Sequence, residues 1–234
     1  MKIGIMQPYF LPYIGYFQLI KMVDKFVVYD NIKYTKKGWI NRNRILVNGK
    51  EAYITLPLKN ASDHLNIDQR YLSDSFFSER EKILRIIKET YRKAAYYTEV
   101  YQLLDDILNF DNENLFQFVF NSLKSVCKYL DIDTEFIVSS TLPIDHMLKA
   151  EDKVQAICKQ LKADVYINPI GGLELYSREK FNENNIDLRF IKSNSITYSQ
   201  LNTEFVPNMS ILDVMMFNCR ENIVDFLNNG YTLI

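Results

Sequence analysis

The chain opens on a pattern that leaves few folds available to it. Lys2-Ile3-Gly4-Ile5-Met6 reads as a short apolar strand, and it runs directly into Gln7-Pro8-Tyr9-Phe10-Leu11-Pro12-Tyr13-Ile14-Gly15-Tyr16-Phe17. A helix follows, then a second apolar strand, Phe26-Val27-Val28-Tyr29, closed by Asp30. Strand, turn, helix, strand is a βαβ unit, because two parallel strands need a crossover of this length between them. Units of this kind hold ligands outside the carboxyl ends of their strands. Both strand ends here carry polar or aromatic residues, so a binding site is expected at that edge.

The second strand leads into Asn31-Ile32-Lys33-Tyr34-Thr35-Lys36-Lys37-Gly38-Trp39-Ile40-Asn41-Arg42-Asn43-Arg44, which holds five cations and no acid. Over all 234 residues the charge is nearly balanced, with 28 Lys and Arg against 29 Asp and Glu. A local cationic patch on a near-neutral chain argues against a nucleic-acid polymer as partner and suits a phosphate-bearing metabolite. Arg42 and Arg44 offer bidentate forks, and Lys33, Lys36 and Lys37 offer point charges. Trp39, the only tryptophan, and Tyr34 are candidates to stack on a base or sugar face, with Asn41 between them and the arginines. A solvated surface loop remains the alternative for this run.

Further along, residues 44–56 read as a hairpin around Asn48-Gly49, a dipeptide suited to tight turns because both residues tolerate positive φ. A short strand is expected near residues 67–72. From residue 75 the apolar period becomes helical, with three amphipathic helices up to residue 130. The α/β alternation resumes at Phe136-Ile137-Val138, continues through Asp164-Val165-Tyr166-Ile167-Asn168 and a strand over residues 187–192, and closes on two helices. The expected fold is α/β, Rossmann-like, with a mostly parallel sheet. Residues 1–74 and 131–234 form its core, and residues 75–130 form a helical insertion that either caps the site or completes the core. Cys127, Cys158 and Cys219 are isolated, which gives no disulfide framework and fits reduced thiols in a cytoplasmic protein. No secretory signal or membrane-spanning run is expected from the sequence.

The opening turn supplies the candidate catalytic residues. Gln7 ends the first strand, where its amide can read a polar ligand group. Tyr13 and Tyr16 lie three residues apart, on one helix face beside Gly15. Asp30 ends the second strand, a frequent position for ribose contacts, with turn capping as its alternative. Pro8, Tyr9 and Gly15 join Tyr34, Lys36, Lys37, Trp39, Asn41, Arg42 and Arg44 as candidate substrate contacts. Gly171 and Gly172, after the strand ending at Pro169, could offer backbone N–H groups to an anion. Ser210 reads first as a helix cap in Ser210-Ile211-Leu212-Asp213, whose first-turn amides can also face an anion. No metal-ligand spacing, nucleophile elbow or phosphate loop occurs in the sequence.

Taken together, the Gln7 to Phe17 stretch, Asn41-Arg42-Asn43-Arg44 and Phe205-Val206-Pro207-Asn208-Met209-Ser210-Ile211-Leu212-Asp213 resemble the WbqC-like family of bacterial proteins. The resemblance implies a role in O-antigen (lipopolysaccharide) and other surface-polysaccharide biosynthesis, acting on a nucleotide-linked, dTDP-type amino sugar. One reading attached to such proteins is a transferase that forms an amide between glycine and the sugar amine. ATP or another activated donor would then be needed, and the sequence does not identify it. A protein that only holds the nucleotide sugar for a partner is the competing expectation. The turn is also analogous to that of nucleotidylyltransferase-like Rossmann proteins, which place HxGH on the first helix. Here the tetrad is Tyr13-Ile14-Gly15-Tyr16, so the glycine is kept and both histidines are replaced by tyrosines, which cannot act as cations.

Overall fold

A six-stranded sheet with the order β5-β2-β1-β6-β7-β8 organises the chain, seen in a computed structural model that describes residues 1–201 and 204–234. Its strands are β1 (Lys2–Met6), β2 (Lys25–Val28), β5 (Glu135–Val138), β6 (Val165–Pro169), β7 (Asp187–Ser193) and β8 (Tyr231–Leu233). Strand β1 is central and parallel to both neighbours, with Ile5 opposite Val27 and Ile3 opposite Tyr166. Only β8 runs antiparallel, along the edge of β7. The chain steps outward from β1 through β2 to β5, then returns to the other side of β1 for β6 and β7. Strand order therefore reverses between β1 and β6.

Alternation of side chains divides the sheet between two apolar layers. Ile3, Ile5 and Val27 pack with α5 (Ala150–Gln160) and α6 (Arg178–Glu183) on one face. Phe26, Val28, Ile167 and Ile191 pack on the other, against α1 (Ile14–Met22) and α8 (Arg220–Asn229). The second layer continues without a break through α2 (Phe76–Tyr91), α3 (Tyr97–Leu108), α4 (Leu115–Tyr129) and α7 (Ile211–Phe217). Phe120 of α4 meets Phe136 of β5 edge-on at 5.6 Å, so the inserted helices reach the sheet itself. The insertion thus packs as a continuation of the sheet's own core.

The hairpin forms as expected, from β3 (Arg42–Val47) and β4 (Lys50–Thr55), with φ of 51° at Asn48 and 74° at Gly49. One local expectation changes, the short strand near residues 67–72. Residues 67–69 form a 3₁₀ turn in place of a strand, because the Asn66 amide donates to Gln69 Oε1 and caps it. Leu72 and Tyr71 make only isolated bridges, to Leu58 and Asn114. Cys127 and Cys158 are buried and free, whereas Cys219 is half-buried at the start of α8. Among the described residues no helix is long and apolar enough to cross a membrane.

Candidate functional site

The reversal of strand order opens a cleft of about 300 Å³ outside the carboxyl ends of β1, β2 and β6. Ligands in open α/β sheets bind at this kind of position. Gln7 extends β1 into the cleft, Tyr29 follows β2, and Asn168 and Gly171 follow β6. Gly171 faces open space, since a Cβ there would meet nothing within 4 Å. Gly172 is glycine for a different reason, because a Cβ would lie 1.9 Å from Asn168 Nδ2. Asn168 is engaged by its surroundings, accepting from the Tyr166 hydroxyl at 3.0 Å and donating to the Pro169 carbonyl.

Tyr9 forms the wall between this cleft and a second cavity of about 330 Å³. That cavity is lined by Pro12, Tyr13, Trp39, Asn43, Arg44 and Asn208 as well. Its floor is held by a set of buried hydrogen bonds. Asn43 Nδ2 donates to the Phe10 carbonyl at 3.0 Å, and the Phe10 amide donates to the Trp39 carbonyl at 3.1 Å. Ser210 Oγ donates to the Leu11 carbonyl at 2.7 Å, while the Ile211 amide donates to the Pro12 carbonyl. The two-proline turn is therefore clamped between β3 and the start of α7, so the three sequence segments that stood out before folding meet here.

Arg44 supplies the positive charge at this cavity. Its guanidinium donates to both Glu51 carboxylate oxygens and to the Asn208 carbonyl, leaving Nε buried without a partner. It also lies 5.4 Å from the Trp39 ring, which stacks on Tyr53. The other cations of the patch do not converge on the cavity. Lys36 pairs with Asp63 on the exposed surface, and Arg42 donates to the Lys37 and Gly38 carbonyls while covering the Tyr53 ring. Lys37 is exposed and takes a left-handed φ of 62°.

Several other candidates serve as scaffold in this geometry. Tyr16 is 1 % exposed, and its hydroxyl donates to the Gln7 carbonyl at 2.7 Å, so it points into the core and not toward the cavities. Burial holds its phenol well above the ordinary range, with Tyr9 and Cys127 adding to the shift. Tyr34 is buried, donating to Asn41 Oδ1, and Asn41 in turn donates to the Leu56 carbonyl. Gly15 lets α1 close on the end of β7, since a Cβ would lie 2.2 Å from Ser193 Oγ and 2.4 Å from the Tyr13 ring. Pro8 is buried within the turn. Asp30 follows Tyr29 directly but is buried and turned toward β5, where Oδ1 accepts from the Ser140 amide and joins β2 to the turn after β5.

Ser210 caps α7 as expected, accepting from the Leu212 amide, but Asp213 does not complete a capping box. Asp213 is fully buried and accepts from Tyr91, Tyr198 and Gln200 at 2.7–2.8 Å. Tyr198 lines a third cavity, of about 260 Å³, which shares Tyr13 and Asn208 with the second. Sequence reasoning did not single out Tyr29, Asn168, Asn43 or Tyr198. Tyr29 and Asn168 carried a usable signal, as polar residues at predicted strand ends. Among the described residues no three His, Cys, Asp or Glu side chains come together as a metal-ligand set.

The sequence profile of the WbqC-like protein family matches residues 7–225. The uncharacterized protein Rv1507c of Mycobacterium tuberculosis is 28% identical over 229 residues, spanning 97% of each chain. No solved structure matches the chain.

Proposed function

Because the chain belongs to the WbqC-like protein family, we propose that it is a transferase acting on a nucleotide-linked amino sugar in surface-polysaccharide biosynthesis. The observation that carries the reading is the pair of cavities around Tyr9. One is the neutral cleft at the reversal of strand order, and the other is an aromatic cavity bearing Arg44. A nucleotide-linked sugar has neutral and anionic parts in one molecule and suits such a surface. The site is Rossmann-like in its position, and the nucleotidylyltransferase-like analogy remains part of this proposal.

In the transferase reading, the sugar amine attacks the carbonyl of an activated glycyl group. The C–N bond forms, the bond from the carbonyl carbon to the activating group breaks, and the proton lost by nitrogen passes to the departing group. Tyr13 lines the cavity, and burial raises its phenol above the ordinary range, so it enters as a hydrogen-bond donor and not as the base. Gln7 contributes an amide that reads a polar ligand group. Rate acceleration then rests on positioning and on charge complementarity.

The test is turnover by the purified chain with dTDP-glucosamine, glycine and ATP, followed by mass spectrometry of the sugar product. A product heavier by one glycyl residue is expected. Saturable binding without product would support the competing reading, in which the same groove only presents the nucleotide sugar to a partner.

A further inference from the structure

The third cavity lies between the end of β7 and the chain that leads into α7, with Tyr13 and Ile14 of the opening turn at its border. It continues a row. The strand-end cleft and the central cavity share Tyr9, and the central and third cavities share Tyr13 and Asn208. Among the described residues, Arg44 in the central cavity is the only charged side chain lining any of the three. The groove therefore holds one guanidinium, paired with Glu51, between two uncharged ends. A nucleotide-linked sugar complements that order, with an anionic diphosphate between its nucleoside and its sugar.

The two neutral ends differ in kind. The strand-end cleft carries the rings of Tyr9, Tyr29 and Tyr176 and open space at Gly171, which suits a planar base. The third cavity sets the hydroxyl and amide groups of Ser193, Asn194, Ser195 and Tyr198 beside apolar Phe205 and Met209. Its polar side is held in place from behind. Ser193 Oγ donates to Gln18 Oε1 at 2.7 Å, Asn194 Oδ1 accepts from Thr232, and the Tyr198 hydroxyl donates to the buried Asp213. Ser195 is exposed at the rim.

We infer that the third cavity is the sugar subsite, with the diphosphate at Arg44 and the nucleoside in the strand-end cleft. The inference rests on the nucleotide-sugar reading given above and adds the direction in which the ligand lies. It places Tyr13 at the junction of diphosphate and sugar, nearest to any chemistry on the sugar.

Calorimetry on the full chain with two probes, dTDP and dTDP-glucosamine, tests this. Two substitutions narrow one end each: Ser195→Trp at the exposed rim of the third cavity, and Gly171→Trp, where the backbone has no positive φ and a side chain meets open space. Thermal unfolding checks that both variants fold. Ser195→Trp is expected to weaken dTDP-glucosamine about tenfold while leaving dTDP unchanged. Gly171→Trp is expected to weaken both probes. A reversed pattern, or full affinity of Ser195→Trp for dTDP-glucosamine, would overturn the assignment while leaving the nucleotide-sugar reading intact. A parent chain that binds neither probe would overturn that reading, and the subsite with it.

Discussion

Two tyrosine hydroxyls in the same turn have different surroundings, and their removal has different consequences. Tyr16 donates from the core to the Gln7 carbonyl, whereas Tyr13 lines two cavities with its ring half-buried. Tyr16→Phe takes the donor away from that carbonyl and is expected to cost about 1 kcal/mol of stability. Tyr13→Phe keeps the packing and is expected to change stability by less than about 0.5 kcal/mol. It should instead lower turnover without a matching rise in KM, as for a bond made chiefly in the transition state. Urea unfolding and steady-state kinetics on both variants check this. Equal stability losses, or parent-like turnover in Tyr13→Phe, would make the whole turn scaffold. At this scale the sequence was informative about Gln7, because a polar residue directly after an apolar strand has few other positions to occupy. It was uninformative about the cations. Their partners, Asp63 for Lys36 and Glu51 for Arg44, come from other segments, and charge along one stretch does not show which ions folding will pair.

Among the elements, the three helices after residue 75 and the hairpin with its turn were legible, because an apolar period and an Asn-Gly pair are local signals. Strand β8 was not legible, since three residues paired antiparallel to an edge leave no period to read. Helix α7 shows a subtler limit. Its Ser-x-x-Asp spacing fits a capping box, yet Asp213 turns inward to join α2, through Tyr91, with the chain segment carrying Tyr198 and Gln200. Burial raises the Asp213 carboxyl above its ordinary range, against hydrogen bonds from Tyr198, Tyr91 and Gln200 that act to lower it. The folded pKa exceeds the unfolded one, so the acid form favours folding. That contribution is complete below the unfolded value and is lost as pH rises through the folded value. Asp213→Asn is neutral at every pH and lacks this dependence. The stability of the parent relative to Asp213→Asn is therefore expected to fall between acidic and neutral pH in urea unfolding. A difference that stays flat or rises would contradict the assignment. At neutral pH the variant should still be less stable, by about 1–3 kcal/mol, because an amide cannot accept from all three donors.

The molecule as a whole behaves in this account as one core with its site on an edge. Strand alternation and the period switch at residue 75 made the mainly parallel sheet and the inserted helices legible. The place of those helices in the core was not, because an amphipathic face does not name what it packs against. Their residues belong to the same apolar cluster as α1 and the sheet. The chain is thus expected to unfold in a single transition, with far-ultraviolet dichroism and tyrosine absorbance coinciding. A separate early transition that removes helix alone would mark residues 75–130 as an independent cap. The central claim is that a nucleotide-linked sugar lies across the turn between the strand-end cleft and the Arg44 cavity. Trp39 is the only tryptophan and lines that cavity, so its emission reports directly on occupancy. Titration with dTDP-glucosamine is predicted to change Trp39 fluorescence saturably, while free glucosamine at the same concentrations does not. Emission that stays flat throughout the nucleotide-sugar titration would contradict the account.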